Sequence, residues 1–144
     1  MYSRLLAALL SIVVLPLLAL PNDQTSVRVR ESELSRTPLF AGPLKITISS
    51  LNSRRFVSIK GVAEVKVENT STAFTIFAPH RLSFVDRDNV QIDVVALVYF
   101  ENLAAVDRRI APGAHTKETY ALTGRVHPPA ELYYDEKLLA VIVD

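Results

Sequence analysis

Leu44-Lys45-Ile46-Thr47-Ile48-Ser49 is the stretch that decides the fold. Leu44, Ile46 and Ile48 alternate with Lys45, Thr47 and Ser49. Successive side chains of a strand point to opposite faces, so a period of two predicts one buried and one wet face. Downstream, Arg54 to Lys60 keeps the period through Phe56 or Val57 and Ile59, and Gly61 punctuates it. Val62, Ala63, Val65 and Val67 then alternate with Glu64, Lys66 and Glu68 as far as Asn69-Thr70-Ser71. Short polar side chains at that point bond the local backbone and end the strand.

The remaining segments follow the same logic. Phe74-Thr75-Ile76-Phe77 is a strand closed by Pro79. Arg81 to Val85 is another, with Leu82 and Phe84 on one side, and Asp86-Arg87-Asp88-Asn89 is a polar turn. Val90 to Phe100 is a long strand whose continuous apolar run from Val94 predicts burial on both faces or a central position. Ala111-Pro112-Gly113 is a loop, Thr116 to Leu122 alternates weakly, Pro128-Pro129 breaks the chain, and Leu138 to Val143 is a closing strand. Helical periodicity is limited to single turns at Glu101–Arg109 and Pro129–Tyr134. Seven or eight short strands with regular turn signals predict an all-β domain over residues 44–144. Two antiparallel sheets that bury each other's apolar face, an immunoglobulin-like sandwich, is the economical architecture.

Upstream, residues 21–43 form a polar lead-in, with Val27-Arg28-Val29-Arg30 alternating and Thr37-Pro38 and Gly42-Pro43 as breakers. It reads as a tether carrying one edge strand. Residues 1–20 read as a signal peptide or membrane anchor. Arg4 precedes an apolar run from Leu5 to Leu20, and Asn22, Asp23 and Gln24 follow it. The run is short for a bilayer-spanning helix, which needs about 20 apolar residues. Cleavage is expected after Ala19. No cysteine follows the run, so a lipidated cysteine is excluded.

Composition narrows the function classes. About 125 residues remain after such a cleavage, enough for one domain with its own core. The chain has no cysteine, which removes disulfides, thiol catalysis and cysteine metal sites. The same absence in an exported chain leans towards a bacterial periplasmic or surface protein. Without Arg4 the basic and acidic side chains balance at 15 each, interspersed along the chain. That is not the basic footprint of a nucleic-acid binder, and no nucleic-acid partner is expected. A membrane contact is expected only through residues 5–20, if they are retained.

Some of these residues carry a resemblance. Val65-Lys66-Val67-Glu68-Asn69-Thr70-Ser71 is followed by an aromatic-rich strand, then by Leu82-Ser83-Phe84-Val85-Asp86-Arg87-Asp88-Asn89 and by Ile110-Ala111-Pro112-Gly113. Over residues 60–144 this order resembles the exported bacterial immunoglobulin-like domains of uncharacterised function. In those, a strand ending V-x-N-x-S precedes a D-x-D-G hairpin and an L-x-P-G loop. The chain departs from the pattern at Asn89, where glycine is usual. Asparagine tolerates a left-handed backbone, so the turn is expected to survive. The resemblance implies a fold and an extracytoplasmic binding or accessory role, and it brings no catalytic residues.

The candidate chemistries are weak. Asp86, Asp88, Asn89 and Asp93 offer hard oxygen ligands for calcium, but Gln91 and Leu97 stand where an EF-hand needs glycine and glutamate. A solvated hairpin turn accounts for them better. His80, His115 and His127 lack ligand spacing. Glu131, Asp135 and Glu136 beside Tyr133 and Tyr134 have the residue types of a glycosidase pair, set against a polar connection with two tyrosines at a sheet edge. Asn69-Thr70-Ser71 fits a glycosylation sequon and equally a strand-capping turn. No nucleophile elbow and no phosphate-cradling glycine loop is present. The expectation is therefore no catalytic, cofactor or metal site.

The function expected is an exported, non-enzymatic binding or protein-interaction module of the cell envelope with a protein partner there. Its contact loops would be Asp86–Asn89 and Ala111–Lys117 at one end of the sandwich, with Asp86, Asp88, Asn89, His115 and Lys117 foremost. The alternatives are a structural or assembly subunit anchored through Leu5–Leu20, and a hydrolase using residues 131–136. Intact mass of protein expressed with its native N-terminus is expected to show loss of residues 1–19, and a full-length mass in the membrane fraction would favour the anchored alternative.

Overall fold

The computed structural model describes residues 26–53, 59–98 and 104–144. The apolar run at 5–20, most of the strand read at 54–60, and the end of the Val90–Phe100 strand with the turn after it lie outside the described residues.

The domain is all-β. The strands are β1 (Val27–Arg30), β2 (Leu39–Ala41), β3 (Leu44–Leu51), β4 (Gly61–Asn69), β5 (Thr75–Phe77), β6 (Leu82–Val85), β7 (Gln91–Leu97), β8 (Arg108–Ile110), β9 (His115–Leu122), β10 (Ala130–Tyr134) and β11 (Lys137–Val143). Short 3₁₀ turns stand at Glu31–Arg36 and Pro79–Arg81. Nine strands form one sheet in the order β1-β11-β10-β6-β7-β9-β4-β3-β2, and β5 pairs with β8 in a separate ribbon. All neighbours are antiparallel except β1 and β11.

The period-two reading of β3 holds. Leu44, Ile46 and Ile48 are buried to 3 % exposure or less, while Lys45, Thr47 and Ser49 face outward. β4 repeats this, with Val65 and Val67 inside and Lys66 and Glu68 outside. Each fully buried aliphatic side chain contributes about 1.5–3 kcal/mol relative to exposure. Phe84, Ile92, Tyr120, Leu132 and Ile142 bring the other strands into the same core.

Three expectations change. First, the hydrogen bonding is one continuous sheet rather than two separate ones. β7 pairs with β6 through Gln91–Asp93 and with β9 through Val94–Leu97, and its register shifts between Val94 and Ala96. One strand thus serves both halves, and the halves close over one core. The free edges nearly meet, since β2 contacts β11 and Lys137 Nζ donates to the Phe40 carbonyl at 3.3 Å across the seam. β7 is central, as its apolar run predicted, but Val95 is 53 % exposed, so it is not buried on both faces.

Second, residues 27–41 are not a tether. β1 and β2 form the two edges, and Val29, Leu34 and Leu39 are buried in the core. The edge strand read at Val27–Arg30 is present, while the burial of Leu34 and Leu39 was masked by neighbouring charged and polar residues whose ends stay in water. The short β2 and β8, with three residues too few to show a period, and β10 lift the strand count above the expected seven or eight. Third, Pro129–Tyr134 is not a helical turn. It is largely β10, an interior strand between β11 and β6. Tyr134 is accordingly a core residue stacked on Phe77 at 5.8 Å, and its hydroxyl accepts the Ala78 N–H, rather than lying at a sheet edge.

One close approach constrains the top of the sheet, where β3 ends and β4 begins. A Cβ at Gly61 would stand 1.9 Å from the Gly124 carbonyl oxygen. Nearby, Asn52 at φ 56 donates from Nδ2 to the Val126 carbonyl (2.6 Å) and accepts the Val126 N–H (3.0 Å). These contacts hold the β9–β10 connection against the β3–β4 end. Gly61→Ala is expected to cost about 2–4 kcal/mol, seen as a lower urea midpoint at unchanged m-value. Gly42→Ala, at φ 57 but with open space around it, is expected to cost about 1 kcal/mol in the same assay.

Candidate functional site

The expected contact loops occupy opposite ends. β6 rises into the Asp86–Asn89 turn and β7 descends from it. β9 runs against β7 with Val94 opposite Leu122 and Leu97 opposite Tyr120, so its first residues, His115 and Lys117, lie at the far end. The antiparallel register therefore separates the two groups that the chain order suggested together. Asp86 is also not a surface ligand. It is 6 % exposed, and its Oδ1 accepts the N–H groups of Asp88 (3.0 Å) and Val90 (3.3 Å). Asn89 takes φ 58, the left-handed conformation anticipated for it. Asp88 and Asn89 are exposed on the turn. Asp93 sits on β7, where it accepts from Gln91 Nε2 at 2.9 Å. Among the described residues no group of three or more His, Cys, Asp or Glu is arranged to hold a metal.

The glycosidase-like carboxylates are also apart. Glu131 lies near the start of β10 and Asp135 in the turn just past its end, roughly 13 Å apart at the rise of a strand. Paired catalytic carboxylates stand about 5 to 9.5 Å apart. Glu131 accepts the Tyr133 hydroxyl, and this bond raises the Tyr133 phenol above its usual range. Asp135 pairs with Arg81 at 3.3 Å. Burial pushes the Tyr120 phenol up as well, helped by the Glu118 carboxylate and opposed by Arg108. Both tyrosines thus stay protonated through neutral pH. His80 Nδ1 lies 3.5 Å from Asp107 Oδ1, both exposed.

Asn69 is the polar centre of the lower end. It is fully buried. Its Nδ2 donates to the carbonyls of Ala73 (2.7 Å) and Ile110 (3.0 Å), and its Oδ1 accepts from Ser71 N (3.0 Å) and Ser71 Oγ (2.7 Å). Its backbone N–H reaches the Ala114 carbonyl, and its own carbonyl takes the Gly113 N–H, each at 2.9 Å. The side chain thus ties the end of β4 to the chain before β5 and to the end of β8, and the backbone of the same residue ties it to the Pro112-Gly113 turn. The strand-capping reading of the triplet is correct locally. Its long-range partners were not legible, because they sit some 40 residues away in sequence. The same burial makes the amide nitrogen unavailable to glycosylation in the folded chain.

Above this hub stands the β5–β8 ribbon. Ile76 on β5 and Phe74 just before it are 58 % and 55 % exposed, and Val106, two residues before β8, is 58 % exposed. The Arg109 guanidinium lies 4.0 Å over the Phe74 ring, and Arg109 is the cross-strand partner of Ile76. Arg108 pairs instead with Glu118 of β9, which fastens the ribbon to the sheet. The signal for this face was in the alternation itself. Phe77 is buried, so Phe74 and Ile76, at the other parity around it, turn outward. A second surface feature is a polar groove of about 400 Å³ between the Glu31–Arg36 turn and the outer faces of β3 and β4. Among the described residues no helix is long and apolar enough to cross a membrane.

The chain matches no protein-family model, and no curated protein matches it in sequence. A solved structure, the yjhA protein from Bacillus subtilis, is similar at 12 % identity and a TM-score of 0.49, over 75 % of this chain and 80 % of that one. So distant a likeness assigns no function, which rests on the chain's own geometry.

Asn69→Ala is expected to cost about 2–4 kcal/mol by denaturant unfolding, since it strands buried carbonyls and N–H groups. Asn69→Asp sets a carboxylate against the Ala73 and Ile110 carbonyl oxygens, which raises the folded-state pKa of the new group. Its deficit relative to the parent chain should be smallest below the unfolded pKa of about 3.9 and grow as pH rises. A pH-independent deficit would count against this geometry.

Proposed function

We propose that the chain is an exported, non-enzymatic interaction module of the cell envelope, an elaborated immunoglobulin-like sandwich whose partner is a protein. The observation that carries this is the outer face of the β5–β8 ribbon. Large exposed side chains scattered singly need no explanation, but Phe74 and Ile76 stand with Arg109 on the outer side of one small ribbon. An aromatic ring with an arginine stacked on it has the composition enriched at protein interfaces. The partner fitted to this face presents an apolar side chain to Phe74 and Ile76 and a carboxylate to Arg109. The two halves closing over one core support the sandwich reading, in a form whose sheet is continuous through β7. The split of Glu131 from Asp135 and the turn-directed Asp86 support the non-enzymatic one.

A second reading, the anchored accessory subunit, has its own support. β1 is bonded into the sheet from Val27, so only a few residues separate the apolar run ending at Leu20 from the folded domain. The two readings share the ribbon and differ in the fate of residues 1–20.

A photo-crosslinking residue at position 76, in cells exporting the protein, should yield a discrete protein adduct that Phe74→Ser diminishes. The same group at Val95, equally exposed on β7, should not yield it. Identical adducts from both positions, or none from position 76, would sink the proposal.

A further inference from the structure

The outer face of β3, β4 and β9 carries an arrangement of charge that the near-neutral composition conceals. Lys45, Thr47 and Ser49 project from β3, Glu64, Lys66 and Glu68 from β4, and His115 and Lys117 from β9. The register sets Lys45 opposite Glu68, and the two pair at 3.8 Å. It also sets Lys66 directly opposite Lys117, a like-charge pairing that destabilises a sheet. Lys117 escapes by pairing diagonally with Glu64 at 3.1 Å. Both carboxylates beside Lys66 on its own strand are therefore engaged by other lysines. Among the described residues Lys66 has no ion-pair partner, and neither has Arg36.

Those two cations line the same groove. Its walls also carry Lys45 and the hydroxyl-bearing Ser35, Thr47 and Ser49, with Glu68 the one carboxylate. Three cations against one carboxylate leave an excess of positive charge in a concave site of about 400 Å³. Guanidinium and ammonium donors beside hydroxyls are the groups that hold phosphate oxygens.

We infer that this groove is a binding site for a compact phosphate-type oxyanion, with Lys66 and Arg36 supplying the charge and the β3 hydroxyls supplying further donors. The balanced charge of the rest of the molecule fits a small ligand rather than a polyanion. The ligand is a phosphate ester, either soluble or on a lipid headgroup. The site lies on a different face from the β5–β8 ribbon, so it stands or falls independently of the protein partner.

The test is a titration of the isotopically labelled protein with inorganic phosphate at constant ionic strength, read by amide chemical shifts. Saturable shifts are expected at Ser35, Lys45, Thr47 and Lys66. Lys66→Gln and Arg36→Gln should each weaken the apparent affinity roughly tenfold or more. Arg125→Gln, in the β9–β10 connection, should leave it unchanged. An unaltered thermal midpoint in the variants shows that folding is not the cause. Shifts that rise linearly without saturation, or that persist unchanged in Lys66→Gln, would overturn the assignment. Parallel titrations with glycerol phosphate and with phosphatidylcholine vesicles containing phosphatidic acid identify the source. Binding to the first alone marks a soluble ester, binding to the vesicles a headgroup, and binding to neither overturns the site.

Discussion

β7 pairs with β6 through Gln91–Asp93 and with β9 through Val94–Leu97, and its register against β9 slips by one residue between Val94 and Ala96. A bulge of this kind bends a strand and increases its local twist. Here it lets a single sheet turn over on itself, so that its two ends approach and Lys137 can reach the Phe40 carbonyl. The antiparallel pairing of β6, β7 and β9 sends the Asp86–Asn89 turn to one end of the molecule and His115 to the other. Closure of the sheet brings the inward faces of β3 and β4 into one core with those of β6, β10 and β11.

A folded-over sheet has open ends, and backbone polar groups there must find partners. The two ends solve this with buried or half-buried asparagines. Asn69 makes four hydrogen bonds with one amide at the lower end, to Ser71, Ala73 and Ile110, and Asn52 makes a two-bond clasp to Val126 at the upper end. Asparagine suits both positions because it donates and accepts from one planar group. Tyr134 adds a third link, closing the start of the Pro79–Arg81 turn onto β10. With no disulfide available, these clasps and the packed core hold the ends of the fold.

The surface is differentiated although the composition is balanced. One ribbon presents Phe74 and Ile76 beside Arg109, and one groove collects Arg36, Lys45 and Lys66. Neither involves the loops that chain order pointed to. The Asp86 carboxylate stabilises its own turn, and Lys117 is held by Glu64. A rigid sheet face can thus carry recognition groups as well as its connecting loops, provided cross-strand pairing leaves some of them without partners.

By itself the sequence determined the class and much of the core of this protein. Alternation is a local property, so Leu44, Ile46 and Ile48, Val65 and Val67, and Leu82 and Phe84 could be assigned to the inside from neighbouring residues alone. Turn chemistry is local too, and Asn89 took the left-handed conformation its side chain allows. Pairing is not local. Which strand lies beside which decided that Lys66 faces Lys117, that Asn69 reaches Ile110, and that Gly61 meets the Gly124 backbone. It also decided that Glu131 and Asp135 part company and that residues 27–41 edge the sheet. Those facts depend on hydrogen-bond register between segments tens of residues apart, which the order of side chains along one strand does not encode.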